Sequence, residues 1–374
     1  MSLLFSPYTF ETPQGPLTLP NRIVIAPMCQ YLAEEGAATD WHLVHWTTLL
    51  NGGAGMLTIE ATAVSPEGRI SPGCLGLWDE RTAAALGDRL QRARALAPRV
   101  PVCLQIGHAG RKASSAAPWH GGMLIRPEDG GWWPMGPSAL PHLPQEAPPR
   151  EMDEADIERV IEQFEAAARR AQALDIDAVE VHGAHGYLLH QFLSPLANQR
   201  RDGWGGDFAG RTRLLREVFA RMRAVFHGAL GVRLSGTDWV EGGWDVAQST
   251  QLATELKAAG AQFVHISSAG VSPQQKIPLG PLYQVPLARQ VRQGSGLCTM
   301  AVGLITEPQQ AEDVLQAGDA DLVALARAFL YKPRWGWEAA AALGGQVQAS
   351  PQYWRSLPRE AGPVFGPEAR IGMR

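Results

Sequence analysis

Short runs of β-branched and apolar residues alternate along the chain with stretches in which apolar positions recur every three or four residues. Eight of the short runs have the length and composition of buried strands. They are Ile23–Ala26, Met56–Glu60, Val102–Ile106, Ala178–His182, Gly231–Leu234, Phe263–Ile266, Met300–Gly303 and Leu322–Ala326. Because a helix follows each strand and returns the chain to the same edge, this order predicts parallel pairing.

Three of the intervening stretches have the clearest helical pattern. A helix is predicted over Glu154–Leu174, where the apolar residues form one stripe and Asp153 is placed to cap the N-terminus. A second helix is predicted over Thr212–Phe226. A third is predicted over Glu307–Gln316, with Thr306 as its N-cap residue.

Eight such strand–helix units predict an α/β fold of the (β/α)₈ type, a TIM barrel, whose interior favours the branched residues these strands carry. A doubly wound open sheet is the alternative arrangement. No GxGxxG sequence opens a helix after the first strand, which disfavours a dinucleotide-binding fold of that kind. The sequence therefore favours the barrel.

Two segments depart from the regular repeat. Residues 113–150, between the third strand and its helix, contain eight prolines together with Trp119, Trp132 and Trp133. This composition predicts an ordered insert that covers the C-terminal mouth of the barrel. The chain after Pro358 is rich in glycine, proline and charge, so we expect a single barrel domain over residues 1–358 and a flexible tail over 359–374.

Composition narrows the class of protein. The 374 residues are 45% hydrophobic and 19% charged, with a net charge of −4, which gives no reason to expect a nucleic acid or an acidic membrane as partner. No apolar run is long enough to cross a bilayer, and the N-terminus lacks the pattern of a signal peptide. The four cysteines lie far apart without a CxxC pair, which disfavours a disulfide framework or a metal knot. We therefore expect a cytoplasmic enzyme.

Polar side chains gather after the C-terminal ends of the predicted strands, the position at which barrel enzymes place their active sites. These residues are Cys29, Tyr31, Gln105, His182, His185, Tyr187, Arg233 and Arg327. Gly303 and Arg327 follow the last two strands, where barrels often bind a phosphate, although a turn glycine and a surface arginine would look the same. This convergence of polar residues from several strands predicts a single active site at the C-terminal mouth of the barrel.

His182 and His185 allow two functional interpretations. They could be a pair of metal ligands, in which case a third ligand is needed, and Glu60 and Asp238 are the only nearby carboxylates. Alternatively, they could be N–H donors that hold and polarise a substrate oxygen. Tyr187 could then serve as a general acid.

The sequence resembles the old yellow enzyme family, and in particular its thermophilic-like, cysteine-containing branch, from about Phe5 to about Arg355. The most specific segment is HGAHGYLLHQFLSPLAN, which begins at His182. Supporting segments are NRIVIAPMCQY from Asn21, QIGHAGRK from Gln105 and AVG from Ala301.

The resemblance implies an FMN at the barrel mouth. Its ring would lie against Ala26, Pro27, Met28, Cys29, Ala61, Gln105, His182 and Arg233, and its phosphate against Gly303, Ala326 and Arg327. Gln105 would bond the pyrimidine edge of the ring. Arg233 would lie near its N1–O2 region, and Cys29 would tune its potential.

The resemblance also implies an ene-reductase that takes hydride from NADPH or NADH in a ping-pong cycle. His182, His185 and Tyr31 would bind the oxygen of a small enone, flavin N5 would give hydride to Cβ, and Tyr187 would protonate Cα. Arg355 would enter the site of a neighbouring subunit, which implies a homodimer or homotetramer. A metal-dependent hydrolase, an RNA-modifying flavoprotein and a pure binding module remain the alternative classes, although no metal is expected.

Overall fold

The computed structural model describes residues 2–369, and a closed barrel of eight parallel strands lies at its centre. The strands of this part of the chain are β1 (Tyr8–Thr12), β2 (Gly15–Leu19), β3 (Ile23–Ile25), β4 (Met56–Ala63), β5 (Val102–Gly107), β6 (Met135–Gly136), β7 (Arg150–Glu151), β8 (Ala178–Gly183), β9 (Ala229–Ser235), β10 (Phe263–Ser267), β11 (Thr299–Ala301) and β12 (Leu322–Leu325). Strands β3, β4, β5, β8, β9, β10, β11 and β12 follow one another around the barrel in chain order, and β12 pairs with β3 to close it. The predicted TIM barrel is confirmed.

Helices connect the barrel strands and cover the outside of the barrel. They are α1 (Asp40–Leu50), α2 (Glu80–Ala95), α3 (Glu154–Ala173), α4 (Leu188–Leu193), α5 (Phe208–Val225), α6 (Val246–Ala258), α7 (Val285–Ser295), α8 (Pro308–Gln316), α9 (Arg327–Tyr331) and α10 (Trp335–Leu343). Short 3₁₀ segments occur at Pro66–Gly68, Gly110–Lys112, Pro118–His120, Pro127–Asp129, Pro351–Ser356 and Arg359–Ala361.

Alternate residues of each barrel strand face opposite sides, which separates two apolar clusters. Residues such as Ile23, Ile25 and Leu57 face outward and pack against the helices in the larger cluster. Their neighbours Val24 and Met56 face inward in the smaller one. The barrel is therefore a filled core with a helical shell.

A hairpin formed by β1 and β2 covers the N-terminal end of the barrel. Phe10 and Leu19 of the hairpin belong to the same buried cluster as the first inward residues of the strands. The ring centroids of Phe10 and Phe263 are 5.6 Å apart. Apolar side chains therefore fill this end.

The 113–150 insert is anchored to the loops around the C-terminal mouth. The Ser115 N–H donates to the Ile70 carbonyl at 2.7 Å, and Trp132 Nε1 donates to the Glu67 carbonyl at 2.8 Å. The guanidinium of Arg69 lies over the Trp132 ring, 4.8 Å from its centroid. These contacts fix the insert beside the loop that follows β4.

The helix starts differ in detail from the sequence prediction. Helix α5 begins at Phe208 instead of Thr212, because the Asp207 side chain caps it by accepting the Gly210 N–H at 2.8 Å. Helix α8 begins at Pro308, and Glu307 occupies the N-cap position predicted for Thr306. Proline suits the first helical position since it needs no N–H there, which moves the start by one residue.

The chain beyond Pro358 is anchored to α10 through two buried side chains, in contrast to the predicted flexible tail. Val364 and Phe365 are buried in one cluster with Trp337 and Val347. Two apolar side chains within a segment of glycine, proline and charge are enough to fix it against α10. Residues 370–374 of the predicted tail lie outside the described residues.

Within residues 2–369, none of the helices combines the length and apolar composition needed to cross a membrane.

Candidate active site

Inward residues in the C-terminal half of four adjacent strands form a buried polar layer. Glu180 on β8 accepts hydrogen bonds from Gln105 Nε2 on β5 at 2.7 Å and from His265 Nδ1 on β10 at 2.8 Å. Burial raises the pKa of Glu180, but the neighbouring His265, which is hydrogen-bonded to it, and the Arg233 cation outweigh burial and leave the pKa below its usual range. Glu180 is therefore a carboxylate that balances the charge of the layer.

Arg233 on β9 is a buried cation with unused hydrogen-bonding capacity. It lies beside His182 and His265 in the strand register, and only 7% of its surface is exposed. Its Nε has no acceptor among the described residues. Because a buried guanidinium remains charged and needs acceptors, this position fits an electron-rich or anionic group of a bound cofactor.

His182 ends the polar layer at the mouth and is a neutral hydrogen-bond donor. Burial, reinforced by the nearby Arg233, lowers the pKa of His182 well below its usual range. Its Nδ1 accepts the Ala184 N–H at 3.3 Å. Nε2 therefore carries the proton and can donate to a ligand.

The turn after β8 brings His185 and Tyr187 next to His182. The ring centroid of His182 is 5.2 Å from that of His185 and 4.9 Å from that of Tyr187. His185 has a left-handed backbone with a φ of 58°, a conformation that is strained for a non-glycine residue. The structure thus brings the three residues together at one mouth.

The hydrogen-bond partner of His185 was not foreseen from the sequence. Its Nε2 is 2.7 Å from Ser267 Oγ at the end of β10, which leaves Nδ1 as its free ring nitrogen. Burial, followed by the charge of Arg233, lowers the pKa of His185 well below its usual range, so the ring is neutral. Ser267 therefore sets which nitrogen of His185 a ligand meets.

Tyr187 keeps its proton at neutral pH and lies under a buried cation. Burial raises the pKa of Tyr187 well above its usual range. Lys112 Nζ lies 4.9 Å from the Tyr187 ring centroid and donates to the carbonyl oxygens of His185 at 2.8 Å and Gly270 at 3.1 Å. Burial lowers the pKa of Lys112 to about 8. Lys112 therefore fixes the turn beneath the tyrosine.

A second buried network, also missed at the sequence level, supports the same turn from α4. The Gly186 N–H donates to His190 Nδ1 at 2.8 Å, and His190 Nε2 is 2.8 Å from Asp238 Oδ1. Asp238 Oδ2 accepts the Ser194 hydroxyl at 2.6 Å and the Trp244 N–H at 2.7 Å. The HGAHGYLLHQ segment contains His190, but its spacing alone does not reveal the partner on another loop.

Both carboxylates considered as metal ligands are engaged with other residues. Asp238 belongs to the His190 network. Glu60 contacts His42 Nε2 at 3.3 Å and Trp46 Nε1 at 3.4 Å. Neither carboxylate is bonded to His182 or His185.

The end of β3 supplies Cys29 and Tyr31. Tyr31 also has a left-handed backbone, with a φ of 56°, and its ring meets the edge of Trp119 at 5.5 Å between centroids. Burial, reinforced by the nearby Cys29, raises the pKa of Tyr31 above its usual range. The insert residue Trp119 therefore reaches the predicted substrate side of the mouth.

The other predicted cofactor residues lie along the same strand ends. Ala26 is buried, Pro27 and Met28 are half-buried, and Ala61 lines a small cavity together with His182 and Tyr187. Gly303 has a φ of 126°, and a Cβ there would lie 2.7 Å from Gln284 Nε2. The backbone conformation and the close contact both require glycine at this position. Ala326 is the N-cap residue of α9, which follows β12, and the exposed Arg327 is the first residue of that helix.

Arg355 is not part of this cluster. It is exposed on the Pro351–Ser356 segment. That segment follows Ser350, whose Oγ donates to Asn51 Oδ1 at 2.7 Å at the C-terminal end of α1. Since the helices run opposite to the strands, this end of α1 lies on the N-terminal side of the barrel, away from the mouth.

Comparison with known proteins agrees with this arrangement. The sequence matches the family described as NADH:flavin oxidoreductase / NADH oxidase over residues 3–344. The NADPH dehydrogenase of Geobacillus sp. (strain WCH70) is 40% identical over 356 residues, which are 95% of this chain and 98% of the relative. The NADPH dehydrogenase of Halalkalibacterium halodurans is 39% identical over 355 residues, which are 94% and 98% of the two chains.

Among solved structures, morphinone reductase in complex with tetrahydroNAD has a TM-score of 0.73 and 25% sequence identity, covering 92% of each chain. The fold, the polar mouth and these similarities lead to one conclusion. The chain belongs to the NADH:flavin oxidoreductase / NADH oxidase family, the old yellow enzymes, and is a flavin-dependent oxidoreductase with FMN as cofactor and a nicotinamide as hydride donor.

Proposed function

We propose that the chain is an NADPH-dependent ene-reductase that reduces the activated C=C bond of small α,β-unsaturated carbonyl compounds. The observation that supports it most directly is the triad of neutral side chains at the mouth, in which the His182 ring lies 4.9 Å from Tyr187 and 5.2 Å from His185. NADPH is the proposed donor because the relatives described above are named NADPH dehydrogenases.

The residues present fit an FMN at the mouth. Arg233 offers a buried cation with an unsatisfied Nε, and Gln105, whose Nε2 is bonded to Glu180, keeps Oε1 as an acceptor. We assign the ring to these two residues together with Ala26, Pro27, Met28, Cys29 and Ala61. We assign the phosphate to Gly303, Ala326 and Arg327. FMN, when bound, supplies the hydride for the β-carbon of the enone.

His182 and His185 bind the carbonyl oxygen of the enone in this proposal. Negative charge grows on that oxygen during reduction, and neutral imidazoles can donate to it without losing a proton. The donor atom of His182 is Nε2, and the proposal requires that Ser267 Oγ donates to His185 Nε2, so that the free Nδ1 of His185 carries the ring proton. One well-placed donor of this kind contributes roughly 3 kcal/mol to the transition state. Tyr31 is assigned to the same oxygen.

Tyr187 delivers the proton to the α-carbon. Its raised pKa keeps the hydroxyl protonated until a carbanion-like carbon forms beside it. The tyrosinate left behind is stabilised by Lys112, whose ammonium lies over the ring. The proton is then restored from solvent before the next turnover.

Two further features belong to the proposal. Reduced nicotinamide and enone use the same mouth in turn, which makes the cycle ping-pong. Arg355 lies on the side of the barrel away from its own mouth, so it can serve a site only in a neighbouring copy, and we propose a homo-oligomer in which it does so.

The test is a pair of anaerobic half-reactions followed by the flavin absorbance. In the first, NADPH reduces the purified holoenzyme; in the second, cyclohexenone reoxidises it. We expect Tyr187→Phe to slow the second half-reaction by about 10²-fold or more, because general acid catalysis contributes about 10²–10⁴-fold. Reduction by NADPH should change by less than about threefold, since no proton reaches carbon in that step.

Tyr331→Phe serves as the control, since Tyr331 is 86% exposed at the end of α9 and lies outside the triad. Equal slowing of both half-reactions by Tyr187→Phe would exclude the acid role. A purified protein that neither contains nor accepts FMN would exclude the proposed function as a whole.

A further inference from the structure

Two residues of the buried polar layer, Glu180 and His265, take no part in the proposed reaction. Glu180 lies on β8 and His265 on β10, and each is 1% exposed. The residues two positions earlier on the same strands, Ala178 and Phe263, belong to the apolar cluster that fills the barrel. The pair therefore lies between this apolar core and the mouth.

The Glu180 carboxylate is held by two donors on different strands. Its Oε1 accepts a hydrogen bond from Gln105 Nε2 at 2.7 Å, and its Oε2 accepts one from His265 Nδ1 at 2.8 Å. Within residues 2–369, Glu180 forms no salt bridge with Arg233. The guanidinium of Arg233 therefore stays free for a ligand, although a carboxylate lies in the same layer.

Glu180 decides which end of the Gln105 amide a ligand meets. A carboxylate can only accept hydrogen bonds, so Gln105 must turn its NH₂ group toward Glu180. Its carbonyl oxygen is then left as the acceptor for a ligand N–H. The pyrimidine edge of a flavin has one N–H between two carbonyl oxygens, and this orientation of Gln105 matches that N–H.

His265 holds the carboxylate without cancelling its charge. Because Nδ1 faces the carboxylate, Nδ1 carries the ring proton. His265 Nε2 is buried and has no partner among the described residues, so a proton there would be a buried donor without an acceptor. Burial, followed by the charge of Arg233, lowers the pKa of His265 below its usual range, which agrees with a neutral ring. The pair therefore carries one net negative charge.

We propose that Glu180 and His265 are positioning residues for FMN, in which Glu180 turns the Gln105 oxygen toward the flavin and its negative charge lowers the reduction potential of the flavin. The inference rests on the assignment of the flavin ring to Gln105 and Arg233 under the proposed function. Two electrons and one proton convert the neutral ring to an anion. A buried carboxylate in the same layer opposes this change, whereas the Arg233 cation favours it.

The potential of the holoenzyme, measured by anaerobic spectroelectrochemical titration, tests the charge. In Glu180→Gln the ratio of reduced to oxidised FMN at a fixed applied potential should rise by about tenfold, a shift of about 30 mV for two electrons. Glu312→Gln is the matched control, since Glu312 is also buried but accepts the N–H groups of Leu3 and Leu4 outside the barrel. This control should keep the wild-type potential.

A loss of stability alone would not raise the potential. An unchanged or more negative potential in Glu180→Gln would overturn the proposal, as would an equal shift in Glu312→Gln.

The affinity of the apoprotein for FMN tests the orientation of Gln105. Glu180→Gln should raise the Kd for FMN by about threefold to tenfold, because the amide of Gln105 is no longer forced to present its oxygen. In a Gln105→Ala background the same change should leave the Kd as it is, since no amide remains to be oriented. Equal losses of affinity in both backgrounds would overturn the positioning role.

His265→Asn tests the pair without changing the carboxylate. The Asn side chain offers an N–H in place of Nδ1, so this variant should keep the wild-type potential. A shift as large as that of Glu180→Gln would show a charged His265 and overturn the proposal. All of these readouts work without an enone, so a protein that binds FMN but fails to reduce enones would exclude the proposed function and leave this test intact.

Discussion

At the scale of single residues, burial decides the protonation state of the histidines at the mouth. His108 is 2% exposed, and burial lowers its pKa to about 4. Its ordinary value is 6.5. Between these two values the unfolded chain binds a proton that the folded chain does not, so folding becomes less favourable as the pH falls.

We therefore predict that acidification destabilises the protein partly through His108. This residue should reduce the free energy of unfolding by at most about 1.4 kcal/mol per pH unit below its ordinary pKa. Urea unfolding curves measured at about pH 7, 6 and 5 should show a smaller slope with pH for His108→Asn than for the wild type.

The exposed residue His120 provides the control, because His120→Asn should leave the slope as it is in the wild type. Identical slopes for the wild type and His108→Asn would contradict the linkage. His182 and His185 share the same direction of pKa shift, so some pH dependence should persist in the His108 variant.

The sequence predicts the site residues that lie on strand ends better than it predicts their partners. His182 and Arg233 could be placed at the mouth because the period of their strands and the order of the barrel fix both. The bond between His185 and Ser267, by contrast, joins turns 82 positions apart. The sequence does not reveal this bond, since loop conformations are not determined by hydrophobic periodicity.

At the scale of secondary-structure elements, α4 holds the catalytic turn in place through Asp238. This carboxylate accepts hydrogen bonds from His190, Ser194 and Trp244. An asparagine there has the same shape but offers one oxygen, and its NH₂ group faces a donor. A buried donor would thus lose its acceptor.

We predict that Asp238→Asn lowers the free energy of unfolding by about 1–3 kcal/mol. It should also slow the enone half-reaction by at least about tenfold, because the Gly186 N–H that His190 accepts lies in the turn carrying Tyr187. Urea unfolding and the two anaerobic half-reactions measure these effects separately.

Asp245→Asn is the matched control, since Asp245 caps α6 and asparagine caps a helix equally well. If Asp238→Asn reduced the enone at the wild-type rate, the Asp238 network would have no role in positioning the turn that carries Tyr187. A loss of stability with unchanged kinetics would likewise limit Asp238 to folding.

Element boundaries show why some predictions were closer than others. Helix α3 was placed within one residue because Asp153 gives a clear capping signal and the apolar stripe continues to the end. Strand β11 is shorter than the predicted Met300–Gly303, since Gly303 has already turned to a positive φ. A glycine ending an apolar run indicates a turn as well as a strand, and the pattern alone cannot separate the two.

At the scale of the whole molecule, the proposed role of Arg355 predicts an assembly. Light scattering at assay concentration should give a mass of at least two chains. Arg355→Ala should raise the KM for cyclohexenone by about tenfold if the guanidinium contacts the substrate region of a neighbour, since a lost charged hydrogen bond is worth about 1.5–3 kcal/mol.

Arg99→Ala, at another exposed arginine, should leave the KM unchanged. A monomer in light scattering, or wild-type kinetics in Arg355→Ala, would contradict the shared site. The mass of the assembly should be the same for both variants.

The β1–β2 hairpin determines by which route ligands enter and leave the protein. Since Phe10 and Leu19 close the N-terminal end of the barrel and inward side chains fill its core, the site at the mouth is approached from the C-terminal side. A ligand that binds at the mouth must therefore leave on the side from which it entered. Successive ligands bind one after the other instead of passing through the barrel. Smaller side chains at Phe10 or Leu19 would therefore destabilise the barrel without opening a second route for ligands.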